Sequence, residues 1–87
     1  MSTRTVTVAS TVGLHARPAA TFTRAAAGAG VPVTIAVAGK DPVNAASMLS
    51  VMTLGVEHGQ EVTLAAEGEG ADEALDALVE LLATDLG

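Results

Sequence analysis

The chain has 87 residues, enough for one domain, and its net charge of −6 argues against nucleic acid as a general partner. It has no cysteine, which excludes disulfides and thiolate metal sites, and Phe22 is the only aromatic residue, which excludes a stacking platform for single-stranded nucleic acid. No apolar run has the length of a membrane span or a signal peptide. We therefore expect a single domain over residues 1–87, located in the cytoplasm.

The first half of the chain predicts a strand, a loop and a helix. Residues 4–9 alternate apolar and polar with period two, as a half-buried strand does. A loop with Gly13 follows, and the alanine-rich segment 16–27 predicts a helix. Pro18 suits its first turn, where a missing N–H costs nothing, and Gly28 suits its C-terminal end.

The middle of the chain predicts two strands and a short helix. Residues 31–37 form the first of these strands, and 41–43 add an irregular edge strand because Pro42 cannot donate to a central ladder. Asn44 is then the expected cap of a short helix over 47–52.

The last part of the chain predicts a strand over 61–66 and a helix over 71–86. The apolar stripe of that helix consists of Leu75, Leu78, Val79, Leu82 and Leu86. Amphipathic strands of one sheet cannot cover each other, so the helices must cover one face of the sheet. The pattern predicts a two-layer α+β domain with an antiparallel sheet.

His15 lies where the glycine loop meets the start of the first helix, and we expect it to be the N-cap. The positive end of the helix disfavours an imidazolium there, so the ring should stay neutral and nucleophilic near pH 7. The unpaired first-turn amides can bind an anion, and Arg17 can present its planar fork to the same group. These features predict a phosphoryl group carried on His15.

The phosphoryl donor is expected to arrive on another protein, because the chain has no glycine-rich nucleotide cradle. A plain capping or surface histidine is the alternative interpretation of His15. His58 precedes a glycine in a turn and is expected to be exposed and inert. We predict no metal and no cofactor, because no histidine and carboxylate pair has metal-ligand spacing.

The segment around His15 resembles the active-site signature of the HPr family, histidine-containing phosphocarriers of the bacterial phosphoenolpyruvate:sugar phosphotransferase system. The matching run is Gly13-Leu14-His15-Ala16-Arg17-Pro18-Ala19-Ala20, and residues 43–55 are similar to the family's serine-site signature. The resemblance implies an open-faced β-sandwich, in which a four-stranded antiparallel sheet is covered on one face by three helices in the order βαββαβα.

The resemblance also implies the reaction. His15 would accept a phosphoryl group on Nδ1 from the phosphohistidine of enzyme I and pass it to a histidine of a sugar-specific IIA domain, while Arg17 steadies the phosphate. Ser47 matches the serine that an ATP-dependent kinase phosphorylates in many Gram-positive relatives, although a plain helix cap is the alternative. Ala46 stands where the family often has a basic residue.

Both partners must approach His15, so the surrounding surface is the expected interface. Ala16, Ala20 and Arg24 lie near Arg17 on the first helix, and the family's docking patch adds Met48 and Met52 on the short helix. Either methionine could instead fill the core. A shuttle must release its partners, so we expect a monomer with transient interfaces of about 1,200 Å² or somewhat more.

Three other functions remain open. The chain could be a paralogue that serves a nitrogen-regulatory or dihydroxyacetone kinase phosphorelay. It could be a regulatory binding protein whose docking to transcription regulators is controlled by phosphorylation of Ser47. It could also be a general α+β interaction module in which His15 only titrates.

Overall fold

The computed structural model describes residues 1–84 and contains four strands and three helices in the predicted order. Their bounds are β1 Ser2–Thr7, α1 Ala16–Ala27, β2 Val33–Val37, β3 Val43–Asn44, α2 Met48–Thr53, β4 Glu61–Ala66 and α3 Ala71–Leu82. The sheet has the strand order β1-β4-β2-β3, and every neighbouring pair is antiparallel. The predicted four-stranded sheet with three helices is confirmed.

The two faces of the sheet differ because side chains alternate along each strand. Ile35 of β2 pairs with Leu64 of β4, and both are fully buried under the helices. Thr5 of β1 pairs with Thr63 of β4, and both are exposed on the other face. The sheet is therefore covered on one side only, as the period-two alternation predicts.

Phe22 of α1 lies at the centre of the core and is fully buried. Leu75 of α3 and Val51 of α2 are also fully buried, so each helix contributes a residue to the same apolar cluster. Burying a side chain of this size stabilises the folded state by about 1.5–3 kcal/mol. These contacts hold the three helices against the sheet and so determine where the N-terminus of α1 lies.

The ends of the first two strands differ from the sequence prediction. β1 ends at Thr7 because the Ala9 amide donates to the Leu82 carbonyl at 3.0 Å, outside the sheet. β2 begins at Val33 rather than at residue 31, directly after Pro32, which has no amide hydrogen to donate.

The expected cap of the short helix was wrong. Asn44 belongs to the edge strand β3, and its Oδ1 accepts a hydrogen bond from the Ala46 amide at 2.9 Å in a local turn. Ser47 is the N-cap of α2, and its Oγ accepts from the Ser50 amide at 3.3 Å. The edge strand itself covers Val43–Asn44, so Pro42 stays outside the ladder.

The last helix is shorter than predicted. α3 ends at Leu82, and Ala83 is its C-cap. Leu75, Leu78 and Leu82 form the expected buried stripe, whereas the predicted stripe residue Leu86 lies outside the described residues. Over the described part of the chain, no helix is long and apolar enough to cross a membrane.

Candidate functional site

His15 is the N-cap of α1, as the sequence predicts. Its backbone is extended, with φ −80° and ψ −171°, and its carbonyl accepts the first helical hydrogen bond from the Ala19 amide at 2.8 Å. The imidazole makes no capping hydrogen bond, and the residue is exposed. The ring therefore stands at the helix start with neither nitrogen used for capping.

The first turn of α1 leaves two amide donors beside this ring. A helix cannot pair its first amides internally, so those of Ala16 and Arg17 have no helical acceptor. Pro18, the third helical residue, has no amide hydrogen, and its buried ring packs toward the core. No acidic residue lies in this first turn. Two amides and the positive helix end thus form an anion-binding position beside His15.

Arg17 adds a cation to this position. Its side chain is exposed, and it shares a helix face with Arg24, which lies seven residues further along α1 and is also exposed. Among the described residues, the ion pairs involve Arg4 with Asp72 and Asp76 and do not include Arg17 or Arg24. As far as residues 1–84 show, neither guanidinium group is paired with a carboxylate, and both can meet an anionic ligand or an acidic protein surface.

The loop before His15 is held by the segment that follows α2. The Leu14 amide donates to the Val56 carbonyl at 3.0 Å, and the Leu14 side chain is buried in the core. Gly13 has φ +66°, and a Cβ atom there would stand 2.7 Å from Glu57 Cα. Only glycine fits this close approach, so Gly13 and Leu14 together hold the loop in one place.

Leu49 is a surface residue that the sequence interpretation missed. It is 77% exposed in α2, and Met52 on the same helix is 43% exposed. Met48 was expected on this surface, but it is half-buried against the core, and its Sδ accepts a hydrogen bond from Thr23 Oγ1 at 3.8 Å. The core-facing position of Val51, two residues after Leu49, is the signal that could have placed Leu49 outward.

The remaining surface around α1 and α2 combines small and cationic residues. Ala16 is exposed and Ala20 is half-buried, so a partner can approach the helix backbone closely. Helices α1 and α2 are in contact. The Lys40 ammonium donates to the Leu54 carbonyl at 3.4 Å, just after α2, and brings a third cation to this side of the domain.

The remaining candidates of the sequence are His58 and the acidic residues. His58 is exposed in the turn between α2 and β4. Within residues 1–84, no three histidine or acidic side chains come together as a metal-binding group. A surface groove of about 610 Å³ lies between α1 and α3, and its lining, which includes Ala25 and Leu78, does not include His15.

Known proteins match the chain over nearly its whole length. Residues 2–84 match the family described as "PTS HPr component phosphorylation site". The chain is 55% identical over 86 residues to the phosphocarrier protein HPr of Streptomyces coelicolor, covering 99% of this chain and 92% of that protein. It is 50% identical over 82 residues to the phosphocarrier protein HPr of Haloferax volcanii, covering 93% of this chain and 92% of that protein.

A solved structure shows the same fold. The crystal structure of the phosphocarrier protein HPr from Bacillus anthracis superposes with a TM-score of 0.88 at 37% identity, covering 93% of this chain and 95% of that chain. The exposed histidine at a helix start, the matching family and the shared fold agree with one another. The chain therefore belongs to the HPr family of phosphocarriers of the phosphotransferase system.

Proposed function

We propose that the chain accepts a phosphoryl group on Nδ1 of His15 from the phosphohistidine of enzyme I and passes it to a histidine of a sugar-specific IIA domain. The observation that carries the proposal is the exposed ring of His15 at the N-cap of α1, with no capping hydrogen bond and with the Ala16 and Arg17 amides beside it. These donors suit a phosphoryl group on the ring.

The transfer exchanges one P–N bond for another. The lone pair on the attacking nitrogen of His15 bonds to phosphorus while the P–N bond of the donor histidine breaks, and the donor ring nitrogen leaves with that electron pair. The reverse roles apply when the IIA histidine attacks phospho-His15. Arg17 and the first-turn amides balance the charge of the phosphoryl oxygens in each step.

The strength of this site suits a carrier. A hydrogen bond to a charged group contributes about 1.5–3 kcal/mol. A helix N-terminus adds about 0.3–2 kcal/mol. In an exposed site with one arginine, the free energy of these contacts lies at the low end of the two ranges, because water competes for the phosphoryl oxygens. The group is thus stabilised enough to be carried and still transferable to the next histidine.

The proposed docking surface consists of Ala16, Ala20, Arg24, Leu49 and Met52. Arg24, with Arg17 on the same helix face, favours acidic partner surfaces, and the exposed side chains of Leu49 and Met52 suit apolar patches on a partner. Met48 contributes little area because it is half-buried. The chain would act in the cytoplasm. It would act as a monomer, because a second copy of the chain on this surface would keep enzyme I and the IIA domain from His15.

The deciding experiment measures intact mass. The protein is incubated with phosphoenolpyruvate, magnesium and catalytic enzyme I, and one acid-labile phosphoryl group is expected. His15→Ala should gain none, whereas His58→Ala, which alters the other exposed histidine, should gain it normally. Absence of the gain in the folded, unaltered protein with enzyme I of the same cell would refute the carrier function.

The acceptor determines which phosphorelay the carrier serves. Purified IIA domains of sugar permeases, nitrogen-regulatory IIA domains and the phosphoryl-accepting subunit of a dihydroxyacetone kinase can be offered to the phosphorylated protein in parallel. We expect the sugar-specific domains to remove the group fastest. Faster transfer to either of the other acceptors would assign the chain to that branch.

A second candidate function is regulation through Ser47. Ser47 caps α2 directly before the exposed Leu49 helix turn, so a phosphate on its Oγ would bring about two negative charges to the proposed docking surface. With ATP and a serine kinase of the family's type, we expect modification that Ser47→Ala abolishes and Ser50→Ala preserves. Ser47→Asp should slow transfer from enzyme I. Unmodified Ser47 in this assay would remove the regulatory alternative, including its control of docking to transcription regulators.

A further inference from the structure

The turn between α2 and β4 is closed by two hydrogen bonds between the same pair of residues. The Gln60 amide donates to the Glu57 carbonyl at 3.1 Å. The Glu57 amide donates to the side-chain Oε1 of Gln60 at 3.2 Å. The first bond is an ordinary turn contact, but the second exists only because residue 60 carries a side-chain acceptor of this length.

The far side of this turn is attached to the extension of β1. The Val8 amide donates to the Gln60 carbonyl at 3.0 Å, and the Gly59 amide donates to the Val8 carbonyl at 2.9 Å. The Gln60 backbone is therefore held by the hydrogen bonds that Gly59 and Gln60 form with Val8. The half-buried Gln60 side chain in turn holds the Glu57 amide by a hydrogen bond. Without the side-chain acceptor, one of the two hydrogen bonds between Glu57 and Gln60 would be lost, and the bond to the Glu57 carbonyl would remain.

The Glu57 end of the turn is the support of the loop that carries His15. Gly13 lies against the Glu57 backbone, and the Leu14 amide donates to the Val56 carbonyl at 3.0 Å. His15 follows directly as the N-cap. A continuous set of contacts thus runs from the Gln60 side chain through Glu57, Val56 and the 13–14 backbone to the histidine.

We propose that Gln60 is a positioning residue for His15. It touches neither His15 nor a bound phosphoryl group, and it acts by holding the 56–57 segment on which Gly13 and Leu14 rest. The kinetic part of this inference rests on the proposed carrier function, but the placement of the ring does not. Loss of the acceptor should loosen the ring position relative to the Ala16 and Arg17 amides, so that the ring nitrogen is less well aligned with a phosphorus whose oxygens those amides bind.

Two variants separate the acceptor from the shape of the side chain. Gln60→Met keeps the length of the side chain and removes the oxygen, whereas Gln60→Glu keeps an oxygen acceptor. Thr63→Ala, on the exposed face of β4, is the matched control. The readouts are the His15 ring proton and nitrogen resonances and the kinetics of phosphorylation by enzyme I.

For Gln60→Met we expect shifted or broadened His15 ring resonances and a turnover number lower by about three- to tenfold, with a nearly unchanged KM. Gln60→Glu and Thr63→Ala should resemble the unaltered protein in both readouts. The ring resonances are informative even if enzyme I phosphorylates none of the proteins, so a failure of the carrier function is distinguishable from a failure of this inference.

A lower melting temperature for Gln60→Met with unchanged His15 resonances would overturn the proposal, because it would make Gln60 a stabilising residue only. Equal effects of Gln60→Met and Gln60→Glu would also overturn it, since they would exclude the oxygen acceptor as the cause. If Gln60→Met does not fold, the comparison of Gln60→Ser with Gln60→Glu decides in the same way.

Discussion

Gly13 and Glu57 are 44 positions apart in the sequence, yet a Cβ atom at Gly13 would stand 2.7 Å from the Cα of Glu57. The same atom would also collide with the Val56 carbonyl, to which the next residue of the loop donates a hydrogen bond. Backbone therefore packs directly on backbone in the loop that leads to His15. A glycine at residue 13 is required both by this approach and by its positive φ.

Replacing this glycine should lower the free energy of unfolding of the domain. A left-handed conformation costs a residue with a Cβ about 1–2 kcal/mol, and in Gly13→Ala the collision with backbone adds to that cost. Gly30→Ala is the matched control, because Gly30 has φ +83° but no atom within 4 Å of its Cβ position. In urea unfolding, Gly13→Ala should lower the free energy of unfolding clearly more than Gly30→Ala does. Equal losses would mean that the loop yields to the extra methyl group.

Met48 and Leu49 are neighbours in α2 and should respond in opposite ways to truncation. Met48→Ala should lower the free energy of unfolding by about 1–2 kcal/mol, because part of a core contact is lost. Leu49→Ala should leave stability nearly unchanged, since the side chain is 77% exposed, and should raise the KM of enzyme I for the carrier. Thermal unfolding and steady-state kinetics of the two variants test this. An unchanged KM for Leu49→Ala would remove Leu49 from the docking surface.

Ser10 carries a buried hydroxyl, and we expect its removal not to destabilise the fold. It is 1% exposed, and its Oγ has no hydrogen-bond partner among the described residues. Burying an unpaired hydroxyl costs about 1–3 kcal/mol by protein mutational data. Ser10→Ala should therefore stabilise the fold by up to about that amount, measured by urea unfolding. A destabilised Ser10→Ala variant would show that the hydroxyl makes a favourable contact.

Arg4 and Asp72 give the stability of the domain a dependence on acid pH. The Ser2 side chain and the Arg4 guanidinium lower the pKa of Asp72 below its ordinary value of 3.8, and Arg4 bonds Asp72 at 3.2 Å. A carboxyl whose pKa is lower in the folded state contributes stability above its unfolded pKa and loses it as the pH falls through the folded pKa. The melting temperature should therefore fall as the pH is lowered below about 4.

In Asp72→Asn the melting temperature should fall less steeply as the pH is lowered below about 4, because the substituted side chain does not titrate. Glu73→Gln is the matched control on the same helix turn, and no ion pair of the described residues involves Glu73. Hydrogen bonds from Arg4 to Asp76 and Asp72 raise the pKa of Arg4 above its ordinary value, so Arg4 stays charged throughout this acid range. Identical melting profiles for Asp72→Asn and the unaltered protein would contradict the prediction.

The sequence by itself determined the order of the elements, the face that each strand buries and the place of His15 at the start of α1. These features depend on local patterns. Period-two alternation distinguishes the faces of β4, and the start of α1 follows from Pro18 and the alanine-rich run after it. The motif around His15 also lies within a few residues, so family resemblance could be recognised without the fold.

Only the tertiary structure decided which of two suitable residues caps α2 and which of two apolar neighbours faces the core. Asn44 and Ser47 are both good helix caps, and pairing of Asn44 with Thr34 in the sheet left Ser47 as the cap. Met48 and Leu49 are both apolar, and packing of α2 against α1 turned Leu49 outward.

The support of His15 depends on residues far away in the chain. Gly13, Glu57 and Gln60 come together only because β1 pairs antiparallel with β4, which brings the end of β1 beside the start of β4. Arg4 likewise reaches Asp72 and Asp76 only because α3 packs on β1. Contacts between residues more than 40 positions apart have no local signature, since local patterns report only neighbours along the chain, and so only the folded structure could decide them.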